Sequence, residues 1–100
     1  MKVEKLTKTD QEDWQSLYCG YADFYQMPMN KDILNSVWLW IFDKNIKFYA
    51  IGVKTNKGKL IGFMHYREMP SPLRGSHVGF LDDLYIHPDC RGTGAVQLLF

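Results

Sequence analysis

The stretch Val78–Phe100, VGFLDDLYIHPDCRGTGAVQLLF, restricts the fold more than any other part of this chain. Its apolar run, interrupted by the carboxylates Asp82 and Asp83, predicts a strand buried on both faces. Pro88 ends that strand, because proline lacks an N–H donor and restricts the residue before it. Arg91-Gly92-Thr93-Gly94 forms a loop, and Ala95-Val96-Gln97-Leu98-Leu99-Phe100 begins a helix. Such an arrangement can hold an anion. The first N–H groups of a helix lack internal partners, and the helix dipole favours negative charge there. The same two glycines also suit a plain tight turn, and spacing alone does not separate these readings.

Upstream, Lys2–Leu6 alternates polar and apolar residues and predicts an edge-like strand. Thr9 and Glu12 have capping-box spacing, and Trp14, Leu17, Tyr18, Tyr21, Phe24 and Tyr25 mark one face of a helix that Pro28 ends. Gly20 inside it costs about 1 kcal/mol relative to alanine, which points to a kink or a close contact. Asn30 caps a second helix with apolar residues at Ile33, Leu34, Val37, Trp38, Ile41 and Phe42. Trp40 falls off that stripe, so its exposure would mark a contact surface. Lys47–Thr55 and Leu60–Met69 predict an antiparallel pair joined by a turn with Gly58 at the left-handed position. Residues 70–77 are expected to form a loop. The order β-α-α-β-β-β-α gives an α+β domain on one mostly antiparallel sheet flanked by helices.

Composition narrows the function classes. Apolar residues at 46% supply a core for a single domain of 100 residues. A net charge of +1, with lysines and arginines scattered, gives no basic face for nucleic acid. No apolar run reaches the about 18 residues needed to span a bilayer, and the N-terminus does not start a signal peptide. Cys19 and Cys90 have neither metal spacing nor disulfide density, so a reduced cytoplasm and no metal are expected.

The segment Arg91–Val96 resembles the acetyl-coenzyme A signature of the GNAT acetyltransferases, Arg/Gln-x-x-Gly-x-Gly/Ala between a strand and a helix. Arg91 and Gly94 fill the first and fourth places, and Val96 stands where that family has Gly or Ala. Leu60–Tyr66 resembles the family's preceding strand. Phe80–Ile86 is similar to the Leu-Glu-Asp-Leu-x-Val run of the polyamine and Hpa-type amine acetyltransferases. The resemblance implies acetyl transfer from acetyl-CoA to an amine on a small molecule or peptide. It implies a cofactor site at Leu84, Tyr85, Ile86, Arg91, Gly92, Thr93, Gly94, Ala95 and Val96. In that site N–H groups past Cys90 meet the diphosphate, and the outgoing half of the strand pairs with the pantetheine arm.

The resemblance also makes Asp82 the general base, one methylene shorter than the family's glutamate. Burial is expected to raise its pKa. Adjacent strand residues face opposite ways, so Asp82 and Asp83 are not expected to line one site. The alternative is that one of them caps a loop or pairs with Arg91 or Arg74. His65 is expected to be a satisfied, half-buried residue rather than a substrate contact, and His77 and His87 to lie in a loop and a turn. Asp23, Glu68 and Asp82 would suit a cationic acceptor.

The helix-like sequence after Gly94 ends without a cap, so the chain is expected to be the N-terminal part of such a domain. Similar enzymes place their general-acid tyrosine beyond this point, and little turnover is expected from this piece alone. A bare apolar end at Leu98, Leu99 and Phe100 and an unpaired sheet edge predict a homodimer. They also support the rival reading, a non-catalytic module that self-associates or binds a partner.

Overall fold

In a computed structural model, residues 1–99 are described, apart from the Val96 side chain. Among the described residues, strands β1 (Lys2–Lys5), β2 (Phe48–Lys54), β3 (Leu60–Ser71) and β4 (Ser76–Ile86) form one antiparallel sheet in the order β1-β2-β3-β4. Helices α1 (Gln11–Phe24) and α2 (Lys31–Phe42) link β1 to β2, and α3 (Ala95–Leu99) follows β4. The expected α+β architecture and element order hold.

The helix starts follow from side-chain capping. Asn30 Oδ1 accepts the Ile33 N–H at 2.9 Å, as expected for the α2 cap. The cap before α1 lies two residues upstream of the expected pair. Asp10 accepts the Thr7 N–H at 2.7 Å and opens a 3₁₀ turn over Lys8–Asp10. Asp10 is also tied to Lys54 at 2.9 Å, and Glu4 holds the same ammonium at 3.0 Å, so a long-range ion pair selects this cap over Thr9 and Glu12.

Alternation along the strands divides the core between the two faces of the sheet. Trp14, Leu17, Leu34, Val37, Trp38, Phe48, Phe63 and Tyr85 pack between the sheet and α1–α2. Val53, Ile61, Ile86, Ala95 and Leu99 pack on the face that α3 covers. Leu99 is therefore buried, contrary to the expected bare helix end. Leu98 is exposed, and Phe100 lies outside the described residues. Gly20 reflects a close contact, since a Cβ there would meet the Tyr85 hydroxyl at 2.9 Å.

Two strand expectations fail. Residues 70–77 do not form a long loop: β3 runs to Ser71, β4 starts at Ser76, and Ser71 pairs with Ser76 across a tight turn. Cross-strand hydrogen bonding carries the ladder through Pro70, whose missing N–H is tolerated near a strand end. Nor is β4 buried on both faces. It pairs with β3 alone among the described residues, so most of it reaches solvent and only Tyr85 and Ile86 are buried.

Candidate functional site

A β-bulge builds the acidic half of the site. His65 pairs with Asp83 and Tyr66 pairs with Leu81, leaving Asp82 as an extra residue without a partner on β3. An inserted residue breaks the strict alternation of faces. Asp82 and Asp83 consequently line the same cleft, which corrects the expectation that they point to different sides. The cleft has a volume of about 750 Å³ between the α1–α2 layer, the start of β2 and the middle of β3 and β4. Tyr18, Trp40 and Phe48 supply aromatic walls, and Trp40 is exposed as its position off the helical stripe predicted. Glu68 joins the two aspartates, while Arg67 and Lys47 provide the opposing charges. Three carboxylates against two cations leave the cleft net negative. Glu68 and Asp82 thus meet as expected, whereas Asp23 does not line the cleft.

Asp82 is not a solitary carboxylate. Arg67 Nε lies 3.0 and 2.9 Å from its two oxygens, and a terminal guanidinium nitrogen lies 2.9 Å from Oδ1. Neither Arg74 nor Arg91 is the partner. Arg67 also sits over the Phe80 ring, its guanidinium carbon 5.3 Å from the ring centre.

Asp83 belongs to a buried chain of hydrogen bonds. Trp14 donates its indole N–H to Nε2 of His65 at 3.0 Å, and His65 Nδ1 lies 2.8 Å from Asp83 Oδ2. The Tyr18 hydroxyl donates to the same oxygen at 3.2 Å. An indole N–H can only donate, so Nε2 must accept and the proton of the neutral ring sits on Nδ1. His65 is satisfied as expected, but it is fully buried rather than half-buried. Burial by itself pushes the Asp83 carboxyl up, yet hydrogen bonding from His65, Tyr21 and Tyr18 outweighs it and holds the group below the usual carboxylate range. Burial and the neighbouring Asp83 carboxylate raise Tyr18 well above an ordinary phenol and push Tyr21 up to about 12.

At the other end of β4, His87 closes a 3₁₀ turn over Pro88–Cys90 by accepting the Asp89 N–H at 3.1 Å. Gly92 and Gly94 take positive φ values of 79° and 88°, which side chains disfavour. A Cβ on either would find no atom within 4 Å. They open a hollow of about 170 Å³ lined also by Ile86, Cys90, Arg91, Ala95 and Gln97. Arg91 crosses its edge, donating Nε–H to the Ile86 carbonyl at 3.1 Å with its guanidinium over the Phe24 and Tyr85 rings. Thr93 turns its hydroxyl onto the Cys90 carbonyl at 2.6 Å. The outer edge of Leu84–Ile86 is unpaired among the described residues. The N–H groups that a helix start leaves without internal partners, two open glycines and an arginine at the rim fit a diphosphate; among the described residues no acidic one lines the hollow. Among the described residues no cluster of three metal-ligating side chains occurs, and no helix is long and apolar enough to cross a membrane.

The sequence missed the roles of Arg67, Tyr18 and Trp14 in this site. Trp14 and Tyr18 look like core positions on a helical stripe, and nothing local tells that their polar atoms reach residues 51 and 65 positions away.

Residues 6–100 match the Acetyltransferase (GNAT) family. The chain is 26% identical over 98 residues to a D-amino-acid N-acetyltransferase of Saccharomyces cerevisiae, a match spanning 97% of this chain and 61% of that protein. It is similar to the structure of a ribosomal-protein-alanine N-acetyltransferase from Brucella melitensis, with a TM-score of 0.76 and 25% identity over 99% of this chain and 66% of that one. An aminoglycoside antibiotic 6'-N-acetyltransferase from Acinetobacter baumannii shares the fold at a TM-score of 0.75 and 19% identity, over 98% and 65% of the two chains. The chain therefore spans less than two-thirds of the length of each of these proteins.

Proposed function

The chain belongs to the GNAT acetyltransferase family, and on that premise we propose that it serves acetyl-CoA-dependent transfer of an acetyl group directly to a primary amine, borne by a small molecule or a peptide. One observation carries this reading. A single strand, β4, runs from a net-negative cleft at Asp82–Asp83 to an open glycine hollow at Arg91–Ala95. Those are the two sites that an ammonium-bearing acceptor and an anionic acyl donor need.

Acetyl-CoA, when bound, supplies the acetyl thioester. The backbone N–H groups of Gly92, Thr93, Gly94, Ala95 and Val96, with Arg91 at the rim, hold its diphosphate in this proposal. The unpaired edge of Leu84, Tyr85 and Ile86 receives the pantetheine arm and offers an N–H to the thioester oxygen. Asp82 takes a proton from the acceptor ammonium, directly or through water, so that the neutral amine can attack. The entering cation replaces Arg67 as the counter-charge of Asp82. A homodimer formed at the open edge of β4, where Phe80 and Leu81 are exposed, and a cytoplasmic location belong to the same proposal.

Binding tests it. Acetyl-CoA should raise the melting temperature with concentration, since a ligand of the native state stabilises it by mass action, and should shift the amide signals of residues 91–96. An unchanged melting temperature and unmoved amides at saturating acetyl-CoA defeat the reading. Sedimentation at several concentrations tests the dimer.

A further inference from the structure

The cleft contains carboxylates in two unlike states. Both oxygens of Asp82 are taken by Arg67. In Asp83, His65 and Tyr18 converge on Oδ2, Tyr21 is a further donor to the carboxylate, and among the described residues no side chain makes a close hydrogen bond to Oδ1. Among the described residues no buried side-chain nitrogen or oxygen lacks a hydrogen bond, so the unshared Oδ1 must be reached by solvent. Its route to solvent is the cleft that Asp83 lines, and the Asp83 side chain is 16% exposed.

We propose that His65 is a positioning residue for the acceptor: pinned through Nε2 by Trp14, it holds Asp83 with Oδ2 engaged and Oδ1 open to the cleft, where Oδ1 anchors the ammonium group of the amine. This rests on reading the cleft as the acceptor site. Three features argue for it. His65 and Trp14 are both fully buried, so neither ring can turn without leaving a polar atom unpaired inside the core. The Trp14 donor fixes the tautomer, and the tautomer fixes which group points its N–H at Asp83. Finally, the donors around Asp83 keep it an anion, which suits a group that holds a cation and does not take its proton. Anchoring and proton removal then fall to adjacent residues, Asp83 and Asp82, which the bulge turns into one cleft.

The test titrates the chain with n-butylamine, a monocation without a carboxylate, and follows the Trp14 indole N–H and the ring nitrogens of His65 by NMR. The free protein should show a protonated Nδ1 and an unprotonated Nε2, and both the indole and the Nδ1–H signals should move in step with amine saturation. Asp83→Asn should weaken amine binding about tenfold or more, the loss expected for a charge-assisted hydrogen bond. His65→Asn, which retains an N–H toward Asp83, should stay within about threefold of the parent, whereas His65→Leu should fall with Asp83→Asn. Melting curves establish that each variant is folded; if His65→Leu does not fold, Asp83→Asn and the ring signals decide. The proposal is overturned if Asp83→Asn binds butylamine like the parent, if folded His65→Leu does so, or if the amine leaves the ring signals unmoved. A parallel acetyl-CoA titration read at residues 91–96 separates the two ideas. Amine response without cofactor response sinks acetyl transfer and leaves the anchor, and the reverse sinks the anchor alone.

Discussion

Arg67 spans both oxygens of Asp82 from the neighbouring strand, its Nε 3.0 and 2.9 Å from them. The pair sits at the mouth of an acidic cleft, so Arg67 competes with any entering ammonium for the same carboxylate. Replacing it by glutamine makes the cleft more negative. The Kd of a primary amine should then fall about two- to fivefold at low ionic strength, with the gain vanishing as salt is added. Asp82→Asn should instead lower the single-turnover rate of acetyl transfer by about 10²-fold or more with little change in melting temperature. Amine titrations across a salt series and single-turnover transfer at high protein concentration make the comparison, and an Asp82→Asn chain with the parental transfer rate contradicts the role of Asp82.

Trp14 to His65 is the contact on which the buried network turns. Trp14→Phe keeps an aromatic filler but removes the donor, leaving Nε2 of a fully buried histidine unpaired. The unmet acceptor should cost about 1–3 kcal/mol, beyond the smaller ring's packing loss. Denaturant unfolding measures it, and His65→Leu in the Trp14→Phe background should recover part of the loss, because no orphaned acceptor then remains.

Titration of the same network should show in the pH dependence of stability. Asp83 has a folded pKa below its ordinary value of 3.8, so its contribution is fully present above about pH 4 and is lost as pH falls through the lower folded value. Tyr21 moves the other way. Its folded pKa of about 12 lies above the ordinary 10.0, so its contribution is intact below pH 10.0 and is lost between there and about pH 12. Melting temperature should therefore fall on both sides. Asp83→Asn should flatten the acid limb and shift the phenolate absorbance rise to lower pH, since burial remains but the neighbouring charge is gone.

The helices and the sheet order were legible because their signals are local. Leu34, Val37 and Trp38 recur at helical spacing and are buried, and Asn30 caps where its side chain predicts. The glycine loop was legible for the same reason. The bulge at Asp82 was not, since it depends on how His65 and Tyr66 register against β4, and an inserted residue leaves no local mark. Nor was the exposure of β4, because an apolar run cannot tell whether a neighbouring strand lies beside it. The capping box shifted to Thr7 and Asp10 because Lys54, distant in sequence, binds Asp10. The bulge and the shifted cap are long-range pairings overriding a local preference, whereas the exposed β4 is a local preference without the neighbour it would need.

Gly62 tests how tightly the strands approach. A Cβ there would clash with the Ile86 side chain and lie 3.2 Å from the Tyr85 carbonyl oxygen, which belongs to the backbone and cannot swing aside. Gly62→Ala should destabilise the fold by about 1–3 kcal/mol, the usual cost of overpacking. At Gly20 the obstructing atoms belong to the Tyr85 side chain, and alanine gains about 1 kcal/mol of helix propensity, so Gly20→Ala should be much milder. Equal losses in the two variants, read by urea unfolding, contradict this account.

Gly94 and Gly58 form a matched pair that separates backbone strain from cofactor contact. Their φ values are 88° and 85°, and a Cβ on either meets nothing within 4 Å. Alanine at either position therefore carries the same left-handed penalty, about 1–2 kcal/mol, without steric conflict inside the protein. Gly58 lies in the β2–β3 turn, whereas Gly94 lines the hollow next to Arg91 and Ala95. A methyl group at Gly94 enters the space proposed for the diphosphate and holds it away from the N–H groups at the start of α3. Gly94→Ala and Gly58→Ala should lose similar stability, but calorimetry with acetyl-CoA should show weakened binding for Gly94→Ala alone. If both variants bind the cofactor as the parent does, the hollow is only a turn between strand and helix, and the diphosphate site lies elsewhere.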